Sequence, residues 1–505
     1  MNFSSLFKVL VILNLSNFFQ SMKLGISADF TNVELQDFNN STYSPTSSPT
    51  SHSHDSALVL IEEMNGREDF ISLQRSPSHA KHELVFAIKQ LGLDQLDQIL
   101  LNISTPGNPM YQQWLSFDQV GDLIANSNGT SAVVSWLESE GVSVSWTSHH
   151  SEYLKATANI STWERILNTQ FFLYQDVQLD ESDDDSNSSN DDDLTRISKN
   201  RRKKKTADGS TETPPIVYHR AQKYYLPTEI TNHLTAIFNT VQVPPKMQDK
   251  YQQLDDESEE SISFRLRGAK KRHVRSTIPG PNSVTVPFLN SLYKIPSNIG
   301  SPQISQAVIE TEDEYFSQQD LALFQKTFNL TIQKAQDHMG YNTSDCGAVA
   351  GHCFEGNLDI QYMMGIAQKT TSVYWYSSYH TSDPFLAWIT EVSNMPNPPM
   401  TNSISWSINE QYVSPSTMNN FNIEAMKLTI RGVTILVAAG DNGVAGIDCS
   451  CDGYYPSFPA TSPYVTAVGA TMGPDLNKTE VTCQSDKVSK YYPFAHKYSC
   501  VYNFL

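Results

Sequence analysis

The strongest constraint on this chain is an alternation of short strand-like and helical runs that begins at Thr285. Apolar, β-branched runs predict strands over 306–310, 371–376, 403–406, 433–438 and 465–468. Residues 317–328, 355–368 and 419–431 between them carry helical periodicity. A helix between successive short strands carries the chain from one parallel strand to the next. This order predicts an α/β unit, a parallel sheet flanked by helices.

A chain of 505 residues calls for more than that one unit. Strand-like runs at 58–61, 83–88, 143–146 and 153–157 alternate with helical ones at 91–101, 120–125 and 131–140. In the first helix Leu91, Leu93, Leu96, Ile99, Leu100 and Leu101 recur at helical spacing. Residues 57–245 therefore read as a separate α+β domain preceding the α/β unit at 284–505. Within it, 179–213 is an insertion in which an acidic run at 180–193 precedes Arg201, Arg202, Lys203, Lys204 and Lys205. Blocks of like charge are solvated, so this reads as a surface insertion and not a nucleic-acid patch. Residues 246–283 form a second polar linker, holding Arg265, Arg267, Lys270, Lys271, Arg272 and Arg275. An exposed basic run between two folded units is a place for a processing protease to cut.

The first 27 residues read as a secretory signal. Lys8 precedes the apolar run 9–15, and small residues follow at Gly25, Ser27 and Ala28. Residues 28–56 are a Ser/Thr/Pro-rich spacer with too few large apolar residues to fold. No later segment has about 18 unbroken apolar residues, so no membrane span is expected. Sequons at Asn39, Asn40, Asn102, Asn128, Asn159, Asn187, Asn329, Asn342 and Asn477 fit a secreted or lysosomal glycoprotein. A net charge of −19 argues against nucleic acid as the main partner. All six cysteines lie in the last third, at Cys346, Cys353, Cys449, Cys451, Cys483 and Cys500. An oxidising compartment would pair them, with Cys346–Cys353 the first candidate; zinc is the alternative, though no CxxC pair completes a site.

Two places could carry chemistry. In Glu355-Gly-Asn-Leu-Asp359 the carboxylates fall at i and i+4, on one face of the predicted helix. Two acids so close repel, and one holds a proton more tightly, which suits a base with an orienting partner. The same spacing is common on solvated helix faces. Gly440-Asp441-Asn442-Gly443 comes directly after the apolar strand 433–438. An acid in that turn sits where open α/β sheets place ligands, and also where an ordinary turn would have one.

Several segments together resemble the sedolisin family of serine-carboxyl peptidases. Glu83–Ile88 through Gly107-Asn-Pro-Met-Tyr111 and Leu115-Ser-Phe-Asp118 is similar to the opening of the family's propeptide, and Tyr224-Tyr-Leu-Pro-Thr228 to its end. Phe316-Ser-Gln-Gln-Asp-Leu321 is a further match. Glu355-Gly-Asn-Leu-Asp359-Ile-Gln-Tyr362 resembles its general-base helix. Ala438-Ala-Gly-Asp441-Asn-Gly443 resembles its oxyanion strand, and Phe458 to Thr471 the family's next segment along the chain. The resemblance implies a subtilisin-like parallel sheet, incomplete here, behind a pro-kumamolisin-like activation propeptide that inhibits its own peptidase. It implies Glu355 as general base, Asp359 as its orienting partner and Asp441 as a protonated oxyanion donor. Peptides or proteins would be the substrates, cut by endopeptidase or tripeptidyl-peptidase action. A neutral Asp needs low pH or a raised pKa, which suits acid activity. Trp406 stands where the family has an aromatic residue near the substrate cleft, although Ser407-Ile408-Asn409 departs from the Gly-acidic pattern there. Gly356 replaces a commoner Ala and should weaken the helix by up to about 1 kcal/mol.

The family's nucleophilic serine lies in a GTSASxP motif after the Asp441 segment, and nothing from Thr471 to Leu505 matches it. Gly129-Thr-Ser131-Ala is a decoy, read as the capped start of a helix. The family's calcium site would also lie past residue 505, so no cofactor is expected here. These residues support two readings: the precursor of an acid-acting serine peptidase, or an inactive product serving as an inhibitor or binder.

Overall fold

The computed structural model describes residues 57–67, 70–176, 217–244, 284–344, 346, 352–380, 383–440, 455–472, 474 and 479–482. The expected signal, spacer, charged insertion and basic linker lie outside the described residues, as do Asp441, Cys449, Cys451, Cys483 and Cys500.

Among the described residues the first unit contains nine strands: β1 (Leu58–Glu63), β2 (Phe70–Arg75), β3 (Lys81–Ile88), β4 (Val144–Thr147), β5 (Tyr153–Asn159), β6 (Phe171–Asp176), β7 (Val217–Ala221), β8 (Lys223–Pro227) and β9 (Leu234–Phe238). Its helices are α1 (Leu93–Ser104), α2 (Phe117–Ile124), α3 (Ser127–Ser139), α4 (Ile160–Ile166) and α5 (Thr228–Thr231). An antiparallel sheet in the order β4-β5-β3-β9 forms its centre. Helix α1 starts later than its leucine spacing suggests, because Gly92 at φ 60° breaks the chain direction and leaves Leu91 48% exposed. Helix α3 starts earlier than expected. Its cap is Asn126, whose side chain accepts from the Gly129 N–H, so the Gly129-Thr-Ser131 stretch lies inside the helix.

The second unit carries β10 (Ser305–Glu310), β11 (Gln336–His338), β12 (Thr371–Tyr376), β13 (Thr401–Ile404), β14 (Ile408–Asn409), β15 (Thr434–Ala438), β16 (Ser457–Phe458) and β17 (Thr466–Val468). Helices α6 (Val286–Leu292), α7 (Gln318–Thr327), α8 (Phe354–Ile366), α9 (Pro384–Ser393) and α10 (Pro415–Ile430) lie between or before them. Six strands form one sheet in the order β11-β12-β10-β13-β15-β17, and every pairing in it is parallel. This is the α/β architecture expected from the sequence. Val308 and Tyr374 face a cluster with Leu321, Ile360 and Met364 from α7 and α8. Ala307, Ile309 and Trp375 face the opposite cluster, with side chains of α9 and α10. Helices thus cover both faces, and β10 is buried along nearly its whole length. Helix α9 lies outside the helical runs expected from the sequence, yet its start is legible: Asp383 accepts from the Leu386 N–H at 2.8 Å, and Pro384 occupies the first turn.

The two units share a core. Leu84, Phe86 and Ile88 of β3 point into the first unit's own cluster. Ala87 between them, with Tyr153, Ala236 and Phe238, points into the cluster shared with α9 and α10. Period-two alternation therefore gives this sheet two apolar faces, one for its own helices and one for the second unit. Leu96, Leu100 and Ile103 of α1 likewise rest on Met426 and Ile430 of α10. Burying each such side chain contributes about 1.5–3 kcal/mol, so the two units meet as parts of one core.

Candidate active site

In an open parallel sheet, ligands bind at the carboxyl ends of strands where the strand order reverses. Here the chain builds β11 and β12 on one side of β10, then crosses to β13 on the other. The residues just past β10, β12, β13 and β15 therefore define the candidate site.

Helix α8 brings Glu355 and Asp359 to this edge, one turn apart. Its N-terminus is held from three directions. Cys353, at the cap position, is joined to Cys346 with a Cα–Cα distance of 5.7 Å. Glu314, fully buried just after β10, accepts the Gly356 N–H at 3.1 Å through Oε1. A carboxylate there satisfies one of the helix's open N–H groups and complements its dipole. The Tyr315 N–H donates to the His352 carbonyl at 2.7 Å.

Gly356 is explained by these contacts. A Cβ at this position would lie 2.4 Å from both the Tyr315 carbonyl oxygen and the Tyr374 hydroxyl. The glycine permits the close approach of α8 to the sheet, which outweighs the propensity it gives up.

Asp359 meets the end of β13. Its Oδ2 accepts from the Ser405 hydroxyl at 2.5 Å. The strand expected over 403–406 instead spans Thr401–Ile404, because it is paired with β10 only up to Ile309–Ile404. Ser405 and Trp406 leave the ladder there and reach neighbouring acids. The Trp406 indole N–H donates to Glu310 Oε2 at 2.7 Å, and Trp406 is only 3% exposed. The aromatic residue expected near a substrate cleft is thus packed in the core and tied to a buried carboxylate. Burial, followed by the negative charges of Glu310, Glu314 and Asp359, holds the Tyr374 phenol far above its ordinary pKa. It stays protonated and donates to the Glu314 carbonyl at 2.8 Å.

The approach to Asp441 is described up to Gly440. That residue has φ 88° and follows Ala439, whose N–H donates to the Val468 carbonyl at 2.9 Å. A Cβ on Gly440 would come within 3.0 Å of the Ser457 hydroxyl. Asp441 itself lies outside the described residues, so Glu355, Asp359 and Trp406 are the expected site residues that can be placed.

Sequence reasoning missed Glu310, Glu314 and Ser405. The first two belong to the acidic run Glu310-Thr-Glu-Asp-Glu314 at the carboxyl end of a predicted central strand, a readable signal. Ser405 had none. Geometrically the edge holds a pair of carboxylates on one helix, one of them oriented by a hydroxyl donor, which is an arrangement able to accept and hold a proton.

Comparison with known proteins finds similar sequences. Residues 69–243 match the family model described as Pro-kumamolisin, activation domain. Tripeptidyl-peptidase 1 of Macaca fascicularis is 26% identical over 411 residues, covering 80% of this chain and 63% of that protein. The Homo sapiens protein of the same name gives the same identity and coverage. The chain therefore spans a little under two thirds of the length of these curated relatives. Among solved structures, a Pseudomonas sedolisin (serine-carboxyl proteinase) complexed with pseudo-iodotyrostatin is 20% identical with a TM-score of 0.28, covering 34% of this chain and 49% of that one. This chain carries a pro-kumamolisin activation domain and resembles the sedolisin family.

Proposed function

We propose that the chain is the precursor of an acid-acting serine-type peptidase that cleaves peptides or proteins, as an endopeptidase or a tripeptidyl-peptidase. Glu355 is its general base, Asp359 orients Glu355 and shares its proton, and Asp441 is the protonated donor to the tetrahedral oxyanion. The observation that carries this reading is the Glu355/Asp359 pair on α8 at the carboxyl edge of the sheet, with Asp359 bonded to Ser405. Carboxylates ordinarily titrate near about 4, so such a machine suits an acidic compartment. Residues 57–245 act as the intramolecular inhibitor, and cleavage within 246–283 releases the peptidase. A secretory route fits the Cys346–Cys353 disulfide and the sequon residues Asn128, Asn329 and Asn342. Among the described residues no helix is long and apolar enough to cross a membrane.

The mechanism requires a serine nucleophile, and no serine of the 505 is assigned that role. In a form of the protein carrying a GTSASxP serine, Glu355→Ala and Asp441→Ala should each abolish acid-pH peptidase activity. Normal activity in either variant refutes the role given to that residue. On the alternative reading, the 505-residue chain is an inactive inhibitor or binder. Labelling of a specific serine on the purified chain by an active-site serine reagent excludes that alternative.

A further inference from the structure

We propose that Asp118, His149 and His150 form a binding site for a transition-metal dication of the zinc class, on the face of the activation domain that meets the second unit. Each residue offers one ligand atom, and these atoms all lie within 4.8 Å of one another. Two imidazoles and a carboxylate, with water in the fourth position, are a donor set that zinc accepts.

The local fold aims these groups together. Consecutive side chains of an extended strand point to opposite faces. His149 and His150 instead sit in the turn between β4 and β5, where the Ser151 N–H donates to the Ser148 carbonyl at 2.9 Å and Ser151 has φ 64°. The two rings therefore lie on one side, with centroids 4.8 Å apart. Phe117 forms a common floor, 4.8 Å from the His149 ring and 4.3 Å from the His150 ring. Asp118 projects from the first turn of α2, which Ser116 and Gln119 fix with a reciprocal capping box. Gly121, one turn further along, leaves the space the His150 ring occupies: a Cβ there would lie 2.2 Å from its Cδ2 and Nε2.

Zinc–ligand bonds of about 2.0–2.1 Å in tetrahedral geometry put ligand atoms roughly 3.3 Å apart. The three groups must therefore close by up to about 1.5 Å. Asp118 and His149 are exposed and His150 is partly so, which leaves their side chains room to rotate.

The site would tie the turn after β4 to the start of α2. Both segments touch the second unit: the His149 N–H donates to Asn394 Oδ1 at 2.9 Å, and Phe117 lies under Arg431. Bound metal should therefore also stabilise the docked form.

The test titrates Zn2+ into the purified precursor against a chromophoric chelator and follows thermal unfolding with and without the ion. Wild type should bind one equivalent that His149→Ala and Asp118→Asn each weaken at least tenfold, and Zn2+ should raise the wild-type Tm more than that of either variant. Both side chains are exposed, and the apo variants should unfold at the wild-type temperature. Equal Zn2+ binding by wild type and both variants overturns the proposal, whether all bind or none does.

Discussion

Lys427 reaches from α10 into the first unit and places its Nζ 2.9 Å from Oε1 of Glu152. The two residues are 275 positions apart, and their side chains are 2% and 3% exposed. Glu424, one turn before Lys427, holds the same ammonium at 2.8 Å. Glu424 in turn accepts from the Gln90 amide and the Tyr153 hydroxyl, each at 3.1 Å, and Glu152 accepts from Ser148 at 2.7 Å. Desolvating three charges is costly, so the network contributes specificity of docking more than net stability. Removing one member is a different matter. Lys427→Met leaves two buried carboxylates without their cation and should cost about 3–5 kcal/mol in denaturant unfolding of the precursor. A double-mutant cycle with Glu152→Gln should show coupling above about 1 kcal/mol; additive losses would mean the contact is idle.

The same boundary carries two acids with opposite responses to pH. Burial alone would raise the Glu152 pKa, but Lys427 and the Ser148 hydroxyl more than reverse this and hold it at about 2, against an ordinary 4.5. Its contribution is fully present above pH 4.5 and is lost as pH falls toward 2. Glu62 is raised, because burial outweighs the bonds it accepts from Ser416 and Gln242. Its contribution is present below pH 4.5 and is lost as pH rises through the raised value. Unfolding free energies at pH 7 and pH 4 should separate the two. Glu62→Gln should be relatively more favourable at pH 7 than at pH 4. The cost of Glu152→Gln should persist at pH 5 and shrink only at lower pH. A Glu152→Gln cost that vanished between pH 7 and 5 would contradict the assigned shift.

The alternation of strands and helices was legible because period two and period 3.6 are local properties of sequence. The parallel sheet and the pairing of Glu355 with Asp359 on one helix came from them. The docking was not legible. Glu424 and Lys427 have the spacing of an ordinary solvated pair, and only the arrival of Glu152 and Tyr153 turns that face inward. Gly356 looked like a loss of helix propensity, since the atoms that exclude a Cβ come from Tyr315 and Tyr374 on other elements. The Asp359–Ser405 bond depends on where β13 stops pairing with β10, and that register is set by the neighbouring strand.

Gly356→Ala should therefore lower stability despite alanine's better propensity. The new methyl would meet a backbone carbonyl as well as a phenol, and overpacking of this kind costs about 1–3 kcal/mol. Thermal or denaturant unfolding measures it directly. A variant more stable than wild type would show that α8 can move away from β12 freely.

The Cys346–Cys353 bridge closes a short loop immediately before α8. Loop-closure entropy for a loop of this size gives about 2–3 kcal/mol. The double variant Cys346→Ser/Cys353→Ser should lose that much stability, and hydrogen exchange should accelerate in the first turn of α8 ahead of the rest of the helix. Unchanged exchange at Glu355 and Gly356 would show that the helix start is held without the bridge, by contacts such as those of Glu314 and Tyr315.

Ser405→Ala tests whether Asp359 acts through its position. The Ser405 hydroxyl donates to Asp359 Oδ2, and a hydrogen bond to a charged group is worth about 1.5–3 kcal/mol. Losing it removes a donor that favours the ionised form, so Asp359 should hold a proton to higher pH. In a form of the protein carrying the serine motif, the acidic limb of the kcat/KM profile should move to higher pH, and Ser405→Thr should largely restore it. A uniform loss of activity across all pH values, without that movement, would assign Ser405 a purely structural role.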